Sequence, residues 1–225
     1  MTTKRRTAST GYTSPVRDEA KEATRARILD ALVRVVLDDG VHAFSVAKVA
    51  ERAGISHRTV YRHFASREEL LEALSEAIDS AGPPEEAEVR RRKPLFEYAR
   101  EDGAGALFGA LESMRDRATA EFIIGVSLRH NTRGKQQRWA QVQAEARERF
   151  PALAPREQLA SAAVLRALVS SNIWFHLCVQ LGVPVDVAAQ GISRTVELVL
   201  EDLAQRNDTQ TRRKPRGDGK KGRAK

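Results

Sequence analysis

Residues 45 to 70, SVAKVAERAGISHRTVYRHFASREEL, restrict what this chain can fold into more than any other stretch, because three helix starts fall within about two dozen residues around one glycine. Ser45 precedes an apolar-periodic run and suits an N-cap, where a hydroxyl accepts from an amide of the first turn. Phe44 before it and Val49 four residues into the helix have the spacing of a hydrophobic staple. The same grammar recurs at Ile55, Ser56 and Val60, and again at Ser66, where Glu69 holds the third helical position of a capping box. Between the first two helices lies Ala53-Gly54, and glycine can take the left-handed conformation that a sharp inter-helix turn needs.

That spacing predicts a helix-turn-helix. Val49, Ala50, Ala53, Ile55, Val60 and Phe64 are expected to point inward, leaving His57, Arg58, Thr59, Tyr61, Arg62 and His63 on or near the outer face. Those outer residues are almost all hydrogen-bond donors, and a donor-rich helix presented N-terminus first suits the major groove of duplex DNA. His57, Arg58 and Thr59 are the candidates for base edges. Ser45, Tyr61, His63 and Arg67 are the candidates for phosphates.

Residues 24 to 71 resemble the DNA-binding domain of TetR family transcriptional regulators. The resemblance is carried by Thr24 to Gly40 (TRARILDALVRVVLDDG), Phe44-Ser45-Val46, Val49 to Ser56, Thr59 to Phe64 and Ser66 to Leu71. One departure is Arg58, where the family often has a small residue such as glycine or alanine. The resemblance implies a homodimer on a palindromic operator, a small-molecule effector held by a C-terminal helical domain, and repression as the mode of regulation. In TetR-like proteins the last two helices pair with their copies.

The net charge of +8 looks like a nucleic-acid signature until it is located. Residues 1–17 carry +4 and residues 206–225 carry +7, which leaves the middle of the chain at −3. Both ends are poor in large apolar residues, so 1–17 is expected to be a disordered basic arm and 206–225 a disordered basic tail. Between them the composition divides the chain into a helix-turn-helix domain over 18–81, a Pro/Glu/Arg-rich linker over 82–94 and a helical regulatory and dimerisation domain over 95–205.

The first domain opens with a helix over 18–38 bearing Ile28, Leu29, Leu32, Val35 and Val36 on one stripe, and a further helix is expected from Arg67 to about Ser80. In the second domain, apolar periodicity marks segments 95–101, 104–114, 116–130 and 135–149, then two long helices near 155–181 and 185–204. No β-branched alternation of useful length interrupts them, so the chain is predicted all-α. The two final helices carry apolar faces wider than one monomer core requires, which points independently to homodimerisation through them. Phe122, Asn172, Trp174, Phe175 and His176 are the candidates for an effector pocket, since residues 172–176 place polar tips and large aromatics on adjacent turns of one helix.

Enzyme chemistry has little to build on. The five histidines show no mutual ligand spacing, the single cysteine, Cys178, cannot form an intramolecular disulfide or a multi-cysteine metal site, and no phosphate loop, nucleophile elbow or HExxH occurs. No metal and no cofactor are expected. Lacking an apolar stretch near eighteen residues or a signal peptide, the chain is expected to be cytoplasmic, nucleoid-associated and away from membranes. The competing reading is an architectural or nucleoid-associated DNA-binding protein on the same scaffold, with no inducer.

Overall fold

A computed structural model describes residues 15–80, 84–101, 103–130 and 132–213. Those residues are helical throughout and contain no β-strand, as the apolar periodicity predicts. The chain divides into two compact units between Leu70 and Leu71.

The first unit begins with α1, Pro15–Arg34, which widens into a π-helical turn at Val35–Asp39 and ends at Gly40. A short 3-10 turn, Val41–Ala43, leads to α2, Val46–Arg52, and α3, His57–His63. Gly54 between them has φ +64°, the left-handed value that the turn requires. Ile28, Leu32, Val35, Val49, Val60 and Phe64 are at most 1% exposed and form the core on which α1, α2 and α3 pack. Arg52 locks the end of α2 to the π-helical turn by reaching both Asp38 and Asp39 at 2.8 Å.

Helix α4, Arg67–Asp79, starts in the first unit and crosses into the second. Its capping box closes one residue early: Ser66 Oγ accepts from the Glu69 amide at 3.0 Å, while the Glu69 carboxylate accepts from the amide of Ala65 at 2.6 Å.

The second unit continues with α5 (Pro84–Arg92), α6 (Leu95–Arg100), α7 (Gly103–Ser113), α8 (Arg115–Ser127) and α9 (Arg133–Arg149). It closes with α10 (Pro155–Leu168), α11 (Ser171–Trp174, widening into a π-helical turn at Phe175–Gln180) and α12 (Val185–Arg213). Helix α12 packs on α6, α7 and α10, and α9 packs on α10.

Several boundaries differ from expectation for identifiable reasons. Most of the expected linker is α5, whose sequence PEEAEVRRR puts proline first, acids early and arginines late, in the order that suits a helix start and the helix dipole. The expected helix over 155–181 is two helices bent by 50°, because Ser170 turns into an N-cap accepting from the Ile173 amide at 3.4 Å. At the N-terminal end of the described chain, residues 15–17 already belong to α1. At the other end α12 runs eight residues into the expected disordered tail, held by Arg206 on Glu157 at 3.2 Å and by the Ala152 amide, which donates to Asn207 Oδ1 at 2.9 Å. The remainder of both expected basic tails, 1–14 and 214–225, lies outside the described residues, as do 81 at the end of the expected first domain and 82–83 of the linker. Among the described residues no single helix is long and apolar enough to cross a membrane, although α10 and α11 together, across their bend, meet the length and composition required.

Candidate nucleic-acid interface and effector cavity

The caps at Ser45 and Ser56 fix the starts of α2 and α3. Ser45 Oγ accepts from the Lys48 amide and Ser56 Oγ from the Thr59 amide, both at 3.1 Å, each of a kind worth about 1 kcal/mol to its helix. The Ser56 and Thr59 hydroxyls also lie 2.8 Å apart, so one proton is spent between them and one remains to be donated outward. Val60 and Phe64 turn into the core, which leaves His57, Arg58, Tyr61 and Arg62 exposed on the other side of α3. His57 meets Tyr61 edge-on across one helical turn, with ring centroids 4.8 Å apart and planes at 88°. The phenol is thereby held against the helix rather than waving free. Arg67 lays its guanidinium over the Phe44 ring, 4.7 Å from the centroid.

His63 departs from its expected position. It is 8% exposed, and its buried Nδ1 has no hydrogen-bond partner among the described residues. Burial first, then the nearby positive charges of Arg62, Arg25 and Lys21, push its pKa below the usual histidine value. The periodicity explains the miss: His63 follows Val60 by three residues and shares its inward face. A ring turned into the core is not placed to donate to a phosphate. Arg25, which the sequence did not single out, takes over the structural task there, donating to the His63 carbonyl at 2.8 Å while its guanidinium covers Phe64 at 4.4 Å.

Of the expected effector residues, Phe122 meets Phe175 and Asn172, while Trp174 and His176 point elsewhere. Consecutive helical positions diverge by about a third of a turn, so residues 172–176 fan out around their helix. Trp174 is fully buried in packing, with Arg115 above its ring at 5.9 Å. Phe175 stacks on Phe122, centroids 4.0 Å apart and planes 18° off parallel. His176 is exposed and shares a 2.8 Å hydrogen bond with Gln180. Asn172 is exposed and, with Phe122, edges an open hollow that also includes Arg129.

The second unit also has a partly open cavity of about 90 Å³. Ile78, Leu95, Leu107, Leu111 and Val169 supply apolar wall, and Asp79, Glu121, Lys135, Arg138 and Arg166 bring charge from α4, α8, α9 and α10. Glu121, 6% exposed, accepts from Ser75 Oγ at 3.0 Å and pairs with the Lys135 ammonium. Arg166 donates to the Val169 carbonyl at 3.3 Å; burial and the like charge of Arg138 push its pKa down, against the pull of Asp79 and Glu121. Asp79, at the rim with part of the residue exposed, is pushed up by burial first, against the lowering effect of Arg138, Lys135 and Arg166. One signal was readable beforehand: Arg166 interrupts the apolar run of α10 one position after the buried Leu165.

Three short helices around a glycine turn, with a capped donor-bearing helix on the outside, define a helix-turn-helix protein whose second unit is all-helical. Residues 28–74 match the model of the tetR family of bacterial regulatory proteins. The chain is 38% identical over 48 residues to the fatty acid metabolism regulator protein of Bacillus subtilis, covering 21% of this chain and 25% of that one. It is 37% identical over 62 residues to the HTH-type transcriptional regulator TtgR of Pseudomonas putida, covering 28% of this chain and 29% of the relative. The matched segments thus span about a quarter to three tenths of these curated relatives. Beyond them the likeness is one of fold: the crystal structure of Mycobacterium smegmatis BioQ superposes with a TM-score of 0.52 at 20% identity, covering 80% of this chain and 98% of the other.

Proposed function

We propose that the chain is a sequence-specific DNA-binding transcriptional repressor that works as a homodimer on a palindromic operator and is released from it by a small molecule. The observation that carries this reading is α3, capped by Ser56 and anchored by Val60 and Phe64, so that its outer donors stand on a rigid support. His57, Arg58 and Thr59 near its start address base edges in the major groove. Tyr61, Arg67 and Ser45 address phosphates, Ser45 keeping a hydroxyl proton to donate while its oxygen accepts from Lys48.

One short helix reads only a few base pairs, so a second copy is needed for useful affinity. Its docking face is offered by α10 and α12, where Leu159, Val164, Val187 and Leu198 are each about half exposed although their helices bury Leu165, Val196 and Leu203 on the other side. The effector site is the cavity of the second unit. Helix α4 contributes Ser75, Ile78 and Asp79 to it and begins at Arg67, so a ligand that shifts α4 bears on a phosphate-contacting residue through one continuous helix.

Selecting fragments of source DNA on the purified protein at near-physiological salt, then sequencing them, tests the proposal. We expect few sites with inverted repeats, bound roughly a thousandfold or more above bulk DNA, and release of those fragments by a small-molecule extract of the source cells. Dispersed sites with a low ratio would replace the repressor by an architectural protein, and a monomer by light scattering at micromolar concentration would remove the dimer.

A further inference from the structure

We infer that each operator half-site carries two guanines about two base-pair steps apart, read in the major groove by Arg58 and Arg62. This rests on the DNA-reading function proposed above and names the bases that α3 selects.

Helical geometry sets which side chains reach furthest. Val60 is 1% exposed and points into the core. At about 100° of turn per residue, Arg58 and Arg62 each lie within roughly 20° of the direction opposite to it. Both are exposed, and they stand one above the other, four residues apart. Tyr61 lies on the flank, about 100° from Val60, where a groove wall and its phosphates pass. The two arginines therefore crown the face that a groove floor would meet.

Free donors set what they can do there. Among the described residues neither Arg58 nor Arg62 has a hydrogen-bond or ion-pair partner. Arg52, by contrast, is held by Asp38 and Asp39, and Arg25 by the His63 carbonyl. No acid stands within four residues of Arg58 or of Arg62 along the chain. Two like charges one turn apart work slightly against their own helix, a cost that no neighbouring acid relieves.

The donor pattern then selects the base. A guanidinium presents two parallel N–H groups, and guanine alone offers two acceptors, O6 and N7, side by side in the major groove. Adenine sets a donor beside its acceptor, and thymine sets a methyl group beside its own. The spacing follows from the two rises. Four residues advance about 6 Å along a helix lying in the groove, and successive bases of one strand advance about 3.4 Å.

The test uses the full chain and DNA. Fragments selected from source DNA give the shared motif, and a synthetic duplex of that motif then carries 7-deazaguanine, which lacks only the N7 acceptor, at one guanine of each half-site at a time. Fluorescence anisotropy reads the affinity. At each of two guanines about two steps apart, the substitution should weaken parent binding about fivefold or more. Arg58→Ala should abolish the response at one of them and Arg62→Ala at the other, with thermal midpoints matching the parent; if a midpoint falls, Gln replaces Ala. A shared motif without guanines at that spacing overturns the inference and leaves the sequence-specific reading standing. So do variants that bind more weakly yet respond to 7-deazaguanine as the parent does, since their arginines would then serve phosphates. Selected fragments with no shared motif overturn the sequence-specific reading itself, and this inference with it.

Discussion

The two units place arginine in opposite ways. On the reading helix Arg58 and Arg62 stand in solvent on a frame made rigid by residues beneath them, and their neighbours in sequence are their neighbours in space. In the cavity Arg138 and Arg166 come from different helices, and burial with mutual repulsion lowers the pKa of Arg166. A surface reader is assembled from one contiguous segment and keeps its charges cheap by leaving them wet. The cavity is assembled from distant segments and holds charges whose partial desolvation costs free energy.

The contrast can be broken by removing the frame. Phe64→Ala empties a site that is 1% exposed beneath the reading helix, and a loss of about 3–5 kcal/mol is expected in chemical denaturation followed by circular dichroism. DNA binding should vanish while the second unit stays folded; intact DNA binding would show that α3 does not depend on this packing. Glu121→Ala probes the other region. It strips the partner from Ser75 and Lys135, and since Lys135 keeps about a third of its surface in water, a loss nearer 2 kcal/mol is expected on the same measurement. A variant as stable as the parent would mean that the cavity's ion pair carries no net weight.

Arg58→Ala should leave stability alone and cost about 1–3 kcal/mol of affinity for a selected fragment, with relaxed preference at one base position, as read by fluorescence anisotropy against single-base variants of that fragment. A uniform loss across all variants would reassign Arg58 to phosphate. The smallest effect concerns His63. Its folded pKa is depressed, so the unfolded chain takes up the proton first: stability is unaffected above the unfolded value near 6.5 and declines as pH falls below it toward the folded pKa. Replacing His63 by Gln should flatten that decline in urea midpoints between pH 7 and pH 5; an unchanged slope would place the sensitivity on another group.

The first unit was largely legible because its signals are local. Ser45, Ser56 and Ser66 act within four residues of themselves, and Gly54 declares its turn by needing no Cβ. Where local grammar was read too generously it failed by one side of a helix, as at His63. The cavity was illegible for the opposite reason. Asp79, Glu121, Lys135 and Arg166 are separated by up to 87 positions, and which helix faces put them together is decided by packing among α4, α8, α9 and α10 rather than by any spacing along the chain. Residues 172–176 misled because richness in aromatic and polar side chains was taken for convergence, whereas one helix sends adjacent side chains in different directions.

The internal contacts of Arg25 and Arg52 have a further consequence for how tightly salt would govern a hold on DNA. Each is occupied within the first unit, on the His63 carbonyl and Phe64, and on Asp38 and Asp39. An arginine kept at such a post expels no condensed ion from the duplex, and each one withheld makes the slope of log affinity against log salt shallower by about 0.9. Counting basic residues along the reading unit therefore overstates the counterions its binding sets free, and the measured slope reports how many cations its scaffold can spare.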